Sequence, residues 1–362
     1  MTAEKYIFAL AERYIVSLDY DWVLGDIRSR VLLILTYLAS LGCLVWSLHD
    51  AKLGELREDL ATMNWWWLGF AVIADISVYC WQALRWRMVL RPVEHASFRQ
   101  AVSAIYVGLF ANEVLPFRAG EILRCYLLSR WTKLPFSVVI SSALIERIFD
   151  GIWLCACLVL TIQLVPAHHH MRWLVRSGYI LGTVVLSGAA LLALAVFLRQ
   201  KTRALVSGDG WQRHVRVLID DLNLIGHSRY LYLAFLQSLP YLLLQVVPIY
   251  AAFRAYDFDQ TPGFHPSIGI AFTLMVILRL GSVVPQAPGN LGLFQLLTRE
   301  ALQRIYHVAP AEAGRFSLVL WGTVTIPLLI AGLVALMVTG SKLFELKRAA
   351  EDHASEMAKN RN

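Results

Sequence analysis

The sequence predicts an all-α polytopic membrane protein, and three observations predict it. Hydrophobic residues make up 57% of the chain and charged residues only 16%, against roughly 25% charged in a soluble globular domain. Six apolar runs have the length of a membrane span, about 20 residues. Two further apolar stretches are interrupted midway by proline and glycine. A chain with so little polar surface cannot cover a water-soluble body, and lipid as the solvent removes that difficulty.

The elements follow in order. Residues 1–30 carry Glu4, Glu12, Asp19 and Asp21 and lack a signal peptide's sequence of basic, apolar and small residues. Tyr6, Leu10, Tyr14 and Leu18 fall on one helical face, so this segment is expected to lie on the cytoplasmic membrane surface. The membrane domain is expected over 31–340. Its spans are 31–48, 65–84, 136–165, 179–198, 231–253 and 315–340. The second opens on Trp65-Trp66-Trp67, an aromatic belt. The fifth contains Pro240 and Pro248 and is expected to bend. Within 199–229, Trp211, Val215, Leu218, Leu222 and Ile225 form a stripe suited to a second surface helix. The tail, 341–362, is polar and is expected to be cytoplasmic and loosely ordered.

Basic residues set the orientation. Segments 1–30, 85–99, 118–133, 199–229 and 342–362 hold 23 of the 33 Lys and Arg, and the remaining loops hold 8. The first set is therefore expected in the cytoplasm, with both termini there. The net charge of +7 then reflects Lys and Arg beside anionic headgroups. No nucleic-acid partner is expected, because the charge lies between apolar runs and forms no single basic face.

The two interrupted stretches are 100–128 and 266–305. The first breaks at Pro116-Phe117-Arg118-Ala119-Gly120, the second at Pro285-Gln286-Ala287-Pro288-Gly289-Asn290. Each half is about 10–18 residues, which suits a re-entrant half-helix better than a full crossing. The charge pattern has the first entering from inside and the second from outside. Two such hairpins would form an inverted pair around a midplane site, as in secondary transporters. The alternative is a pair of buried helix-loop-helix kinks. A half-helix N-terminus offers free N–H groups to an anion, and Gly120 and Gly289 would let a headgroup approach the backbone.

Charges inside apolar runs are the candidate site residues. Arg118, Glu121 and Arg124 surround the first break, and Glu146, Arg147 and Asp150 occupy one turn of the third span. A central Asp or Arg costs roughly 2.5–3.5 kcal/mol to insert, so such residues commonly line a polar path. Arg118, Arg124, Arg147 and Arg279 are candidates to hold a phosphate, with Asn290 able to hydrogen-bond a headgroup. Glu121, Glu146 and Asp150 would balance those charges or carry a proton. The structural alternative pairs Glu146 or Asp150 with Arg118 or Arg124 to hold the hairpin. No metal site is expected: His168-His169-His170 diverge in a loop, and Cys155 and Cys157 face different directions. No phosphate-binding loop for ATP is present in the sequence, and no cofactor is expected.

The three motifs 115–124 (Leu-Pro-Phe-Arg-Ala-Gly-Glu-Ile-Leu-Arg), 146–150 (Glu-Arg-Ile-Phe-Asp) and 285–292 (Pro-Gln-Ala-Pro-Gly-Asn-Leu-Gly) together resemble the flippase-like transmembrane domain of lysylphosphatidylglycerol synthetases, over roughly 30–340. The resemblance implies translocation of a lipid between leaflets. The full synthetases carry a soluble aminoacyl-transferase domain after the membrane part. Here a short polar tail follows, so lysyl transfer is not expected. Asn290 stands where a small residue is usual in that family. The expected cargo is a lipid with an anionic or phosphate-bearing headgroup, such as a phospholipid, a polyprenyl-linked lipid or a hopanoid-type lipid, in the cell membrane. The alternatives are a membrane glycosyl- or acyl-transferase using Asp257 and Asp259, or a scaffold for lipid-synthesis enzymes.

Overall fold

The computed structural model describes residues 27–114, 120–164, 183, 229–258, 261–282 and 287–359, with the side chains of 27–33, 164 and 341–359 left aside. Among these residues the chain is helical throughout, with no strand. Helix α1 is Ile27–Leu48, and a 3-10 turn, Leu53–Glu55, leads into the short α2, Leu56–Thr62. Helices α3 (Trp65–Leu90), α4 (Phe98–Val114), α5 (Gly120–Thr132) and α6 (Phe136–Leu164) complete the first half. The second half contains α7 (Arg229–Leu244), α8 (Val246–Ala255), α9 (Ile268–Gly281), α10 (Leu293–Tyr306) and α11 (Pro310–Lys359).

Both halves run in the same order: a long helix, a pair of shorter helices joined by a break, then a long helix. The shorter helices have 17, 13, 14 and 14 residues. At 1.5 Å per residue they reach about 20–25 Å, less than the roughly 30 Å of a bilayer's hydrocarbon core. Local chemistry starts and stops them. Ser97 and Gln100 form a reciprocal capping box at α4, with Gln100 N donating to Ser97 Oγ at 3.2 Å and Ser97 N to Gln100 Oε1 at 2.9 Å. Ser267 caps α9 by accepting from Ile270 N at 3.3 Å. Lys133 ends α5 and His307 ends α10, both with positive φ, and prolines 135 and 310 follow shortly after.

Among the described residues, three helices are long and apolar enough to cross a membrane: Trp65–Leu90, Arg229–Ala255 and Pro310–Gly340. Ile34–Leu48 with Leu53–Thr62 would be a fourth, bent by 75°. Of the other expected spans, 136–165 appears as one unbroken helix of 29 residues carrying Glu146, Arg147 and Asp150. The expected span 179–198, the surface segment before residue 27 and the surface stripe at 211–225 lie outside the described residues.

Three expectations need correction. The second span does not end at residue 84: α3 continues through Leu90, so Arg85, assigned from sequence to a cytoplasmic loop, is fully buried. The tail after residue 341, expected to be loosely ordered, is helical as far as Lys359, where α11 ends. Arg299 and Arg315, assigned to outer loops, lie within α10 and α11 and are buried. Arg315 donates to Glu55 at 2.8 Å and Asp59 at 2.5 Å, and Tyr256 donates to the same Asp59 at 2.5 Å. Burial and this contact with Asp59 push the Tyr256 hydroxyl well above the usual phenol range. The group fastens α2 and the loop after α8 to the start of α11.

The long helix of the second half, which holds Pro240 and Pro248, divides at Gln245 into α7 and α8. Gln245 interrupts it: its N–H bonds Leu242 O in a tight turn, and its side-chain amide donates to Tyr241 O at 3.1 Å. Pro248 has no N–H to continue the ladder. Two large apolar cores form, and the second takes in Leu154, Cys157 and Leu158 of α6. One packs α3–α6 around Trp86, Ile105 and Leu128. The other packs α8–α11 around Phe253 and Phe316, whose rings stack at 4.6 Å.

Candidate functional site

Three arginines and three carboxylates converge between α3, α5 and α6. Glu146 is fully buried and shares its carboxylate between Arg85, at 3.1 Å, and Arg124, at 3.3 Å. Arg85 also pairs with Asp150 and donates to Ser238 Oγ at 3.0 Å. Arg124 reaches Glu121 at 2.9 Å, and Arg147 reaches Glu121 at 2.8 Å. Arg85 lies over the Tyr241 ring at 4.5 Å and Arg124 over Trp86 at 4.7 Å. The six charges sum to zero. Buried ions persist where every partner is present, since desolvating each costs several kcal/mol in order of magnitude.

The alternative in which Glu146 pairs with Arg124 is therefore realised, and Arg85 supplies the second cation. In the sequence Arg85 adjoins Arg87 and Arg91 at the end of an apolar run and resembles loop charge. Its spacing from Gln82 and Asp75 on one helix was the available signal.

Beside this cluster is a cavity of about 360 Å³ lined by residues from both halves. Glu121 and Arg147 contribute from the cluster, Asp75, Tyr79 and Gln82 from α3, and Arg279 from α9. Asn290 Nδ2 donates to Glu113 Oε1 at 2.8 Å, so the two breaks meet at its wall. Arg279 differs from the other cavity cation. It donates to Gln245 Oε1 and, at 3.2 Å, to Tyr241 Oη, both neutral, and has no carboxylate partner among the described residues.

The other candidates are placed as follows. Gly120 is buried at the start of α5, with its N–H donated to Asn112 Oδ1 at 2.9 Å. A Cβ there would stand 1.8 Å from Gly108 O, so α4 and α5 cross in backbone contact. Gly289 has φ 75°, and its carbonyl accepts from Trp321 Nε1 at 2.7 Å. Gly292, at φ 92°, seats the second break on α1: a Cβ would fall 2.0 Å from Ser40 O. Arg118 and Asp259 lie outside the described residues, and Asp257 is exposed and does not line the cavity. No group of metal-binding side chains occurs among the described residues.

The pattern of the lysylphosphatidylglycerol synthase transmembrane region matches residues 32–332. The chain belongs to that family. Its relatives within and around the family include a UPF0104 membrane protein of Methanothermobacter thermautotrophicus, 26% identical over 77% of this chain and 85% of its own length. The glycosyltransferase AglD of Haloferax volcanii is 25% identical over 67% of this chain but only 44% of that protein. A second UPF0104 membrane protein, from Methanocaldococcus jannaschii, is 26% identical over 34% of this chain and 36% of its own. No solved structure matches the chain. Family membership supports a lipid-related role in a membrane for this multi-pass chain.

Proposed function

We propose that this protein translocates a lipid with an anionic or phosphate-bearing headgroup between the leaflets of the cell membrane, with both termini in the cytoplasm. The observation that carries the reading is Arg279: a cation held only by neutral groups, on the wall of a cavity where the breaks of two short-helix pairs meet. A cation at membrane depth with no carboxylate in hydrogen-bonding reach among the described residues is a ready partner for a phosphate. Arg147 lines the same cavity and is already engaged by Glu121. The headgroup occupies the cavity while the acyl or prenyl tails stay in lipid. The two helix pairs enter the bilayer from opposite sides, and their relative movement opens the cavity alternately. Arg124 and Glu146 hold the first pair, and Arg118 adds positive charge near the first break. Partners are membrane lipids. The chain acts without a chemical step, and Asp257, exposed and away from the cavity, gives no support to a transferase.

The test is leaflet exchange of labelled phospholipids and polyprenyl phosphates in liposomes holding the purified protein. The wild type exchanges at least one phosphate-bearing lipid. Arg279→Ala slows that exchange about tenfold or more, the loss of a charge-assisted hydrogen bond, while its melting temperature stays near wild type. Undiminished exchange in Arg279→Ala, or none by the wild type, overturns the reading.

A further inference from the structure

The cavity has a second polar wall that the phosphate does not use. Asp75 and Gln82 lie on α3 and line the cavity. They are seven residues apart, two turns on one helical face, about 10 Å along the axis. Asp75 is 7% exposed and Gln82 3%. Asp75 Oδ2 and Gln82 Oε1 are buried and make no hydrogen bond among the described residues. Both can accept: an amide oxygen cannot donate, and an ionised carboxylate accepts only. Arg279 makes no hydrogen bond to either and donates its own to Gln245 and Tyr241. A buried acceptor without a partner is unfavourable, more so at low dielectric. Two of them, on residues that line one cavity, call for a guest that brings donors.

We propose that the transported headgroup carries hydrogen-bond donors, hydroxyl or ammonium, which bind Asp75 and Gln82 while its phosphate binds Arg279. This rests on the reading of the cavity as a headgroup site and adds a selectivity to it. A bare phosphate monoester lipid satisfies Arg279 and leaves both acceptors dry. A headgroup with a polar extension satisfies both walls. The spacing of the two acceptors along α3 suits an extended group better than a single compact one.

The experiment measures binding, not transport. Short-chain phosphatidylglycerol, phosphatidylethanolamine and phosphatidic acid are titrated calorimetrically into the purified full-length protein in detergent. Phosphatidylglycerol or phosphatidylethanolamine is expected to bind about tenfold or more tightly than phosphatidic acid. Asp75→Leu combined with Gln82→Leu removes that preference, so that the three lipids bind alike. Asp75→Asn, which keeps shape and one acceptor, separates the sources: it abolishes a preference for ammonium and retains one for hydroxyl. Equal affinity for all three lipids in the wild type overturns the proposal without any variant. So does a preference that survives in the double variant, or no binding of any lipid. Selective binding without leaflet exchange would sink translocation and leave this recognition standing.

Discussion

Glu146 has no solvent exposure and divides its two carboxylate oxygens between Arg85 and Arg124. Removing one arginine strands a buried charge, so Arg124→Ala is expected to destabilise the protein by about 3–5 kcal/mol. The paired change Arg124→Leu with Glu146→Leu leaves Arg85 with Asp150 and Arg147 with Glu121, and should melt near wild type. Thermal unfolding in detergent, followed by intrinsic fluorescence, checks both. A double variant as unstable as the single one would mean that Glu146 matters for more than balance. Part of this residue-scale picture was legible in the sequence. Glu121, Arg124, Glu146, Arg147 and Asp150 stood out as charges within apolar runs, and they do converge. Arg85 did not stand out, because arginine at the end of an apolar run looks the same whether it meets water or protein. Asp75 was the plainer omission, a lone carboxylate within a long apolar run.

At the scale of elements, the breaks were legible because proline and glycine mark them in sequence. The tertiary neighbours of those glycines were not. Gly120 and Gly108 face each other so that each Cβ position meets the other's carbonyl, at 1.8 and 2.7 Å. That contact is between residues twelve apart, and nothing in the local pattern signals it. Gly120→Ala must push α5 away from α4, and overpacking of this kind costs about 1–3 kcal/mol. Gly292→Ala combines a positive φ with a carbonyl 2.0 Å from the new methyl, and should cost more. Melting temperatures of the two variants, compared with Gly54→Ala, where nothing lies within 4 Å, decide this. Equal behaviour of all three would show that the helix pairs adapt freely.

Across the whole molecule, composition and run length were enough to show an all-helical membrane protein, since they report on the solvent and not on packing. The repeated order of long helix, short pair and long helix rests on α7 and α8 forming one span interrupted at Gln245. The halves touch through Glu113 and Asn290. If their relative movement carries the lipid, a short crosslink should stop it. Cysteines placed at 113 and 290, in a chain lacking the five native cysteines, are expected to lose leaflet exchange on bridging and regain it on reduction. Exchange that continues across the bridged pair would exclude separation of the breaks as the working motion.

The neutrality of the six-residue cluster has an electrical consequence. A membrane potential does about 2.3 kcal/mol of work per elementary charge per 100 mV. Arg85, Arg124 and Arg147 carry three positive charges and Glu121, Glu146 and Asp150 three negative ones. Whatever distance this group travels together, the field does no net work on it, so the cell's voltage neither drives nor brakes that part of the machine.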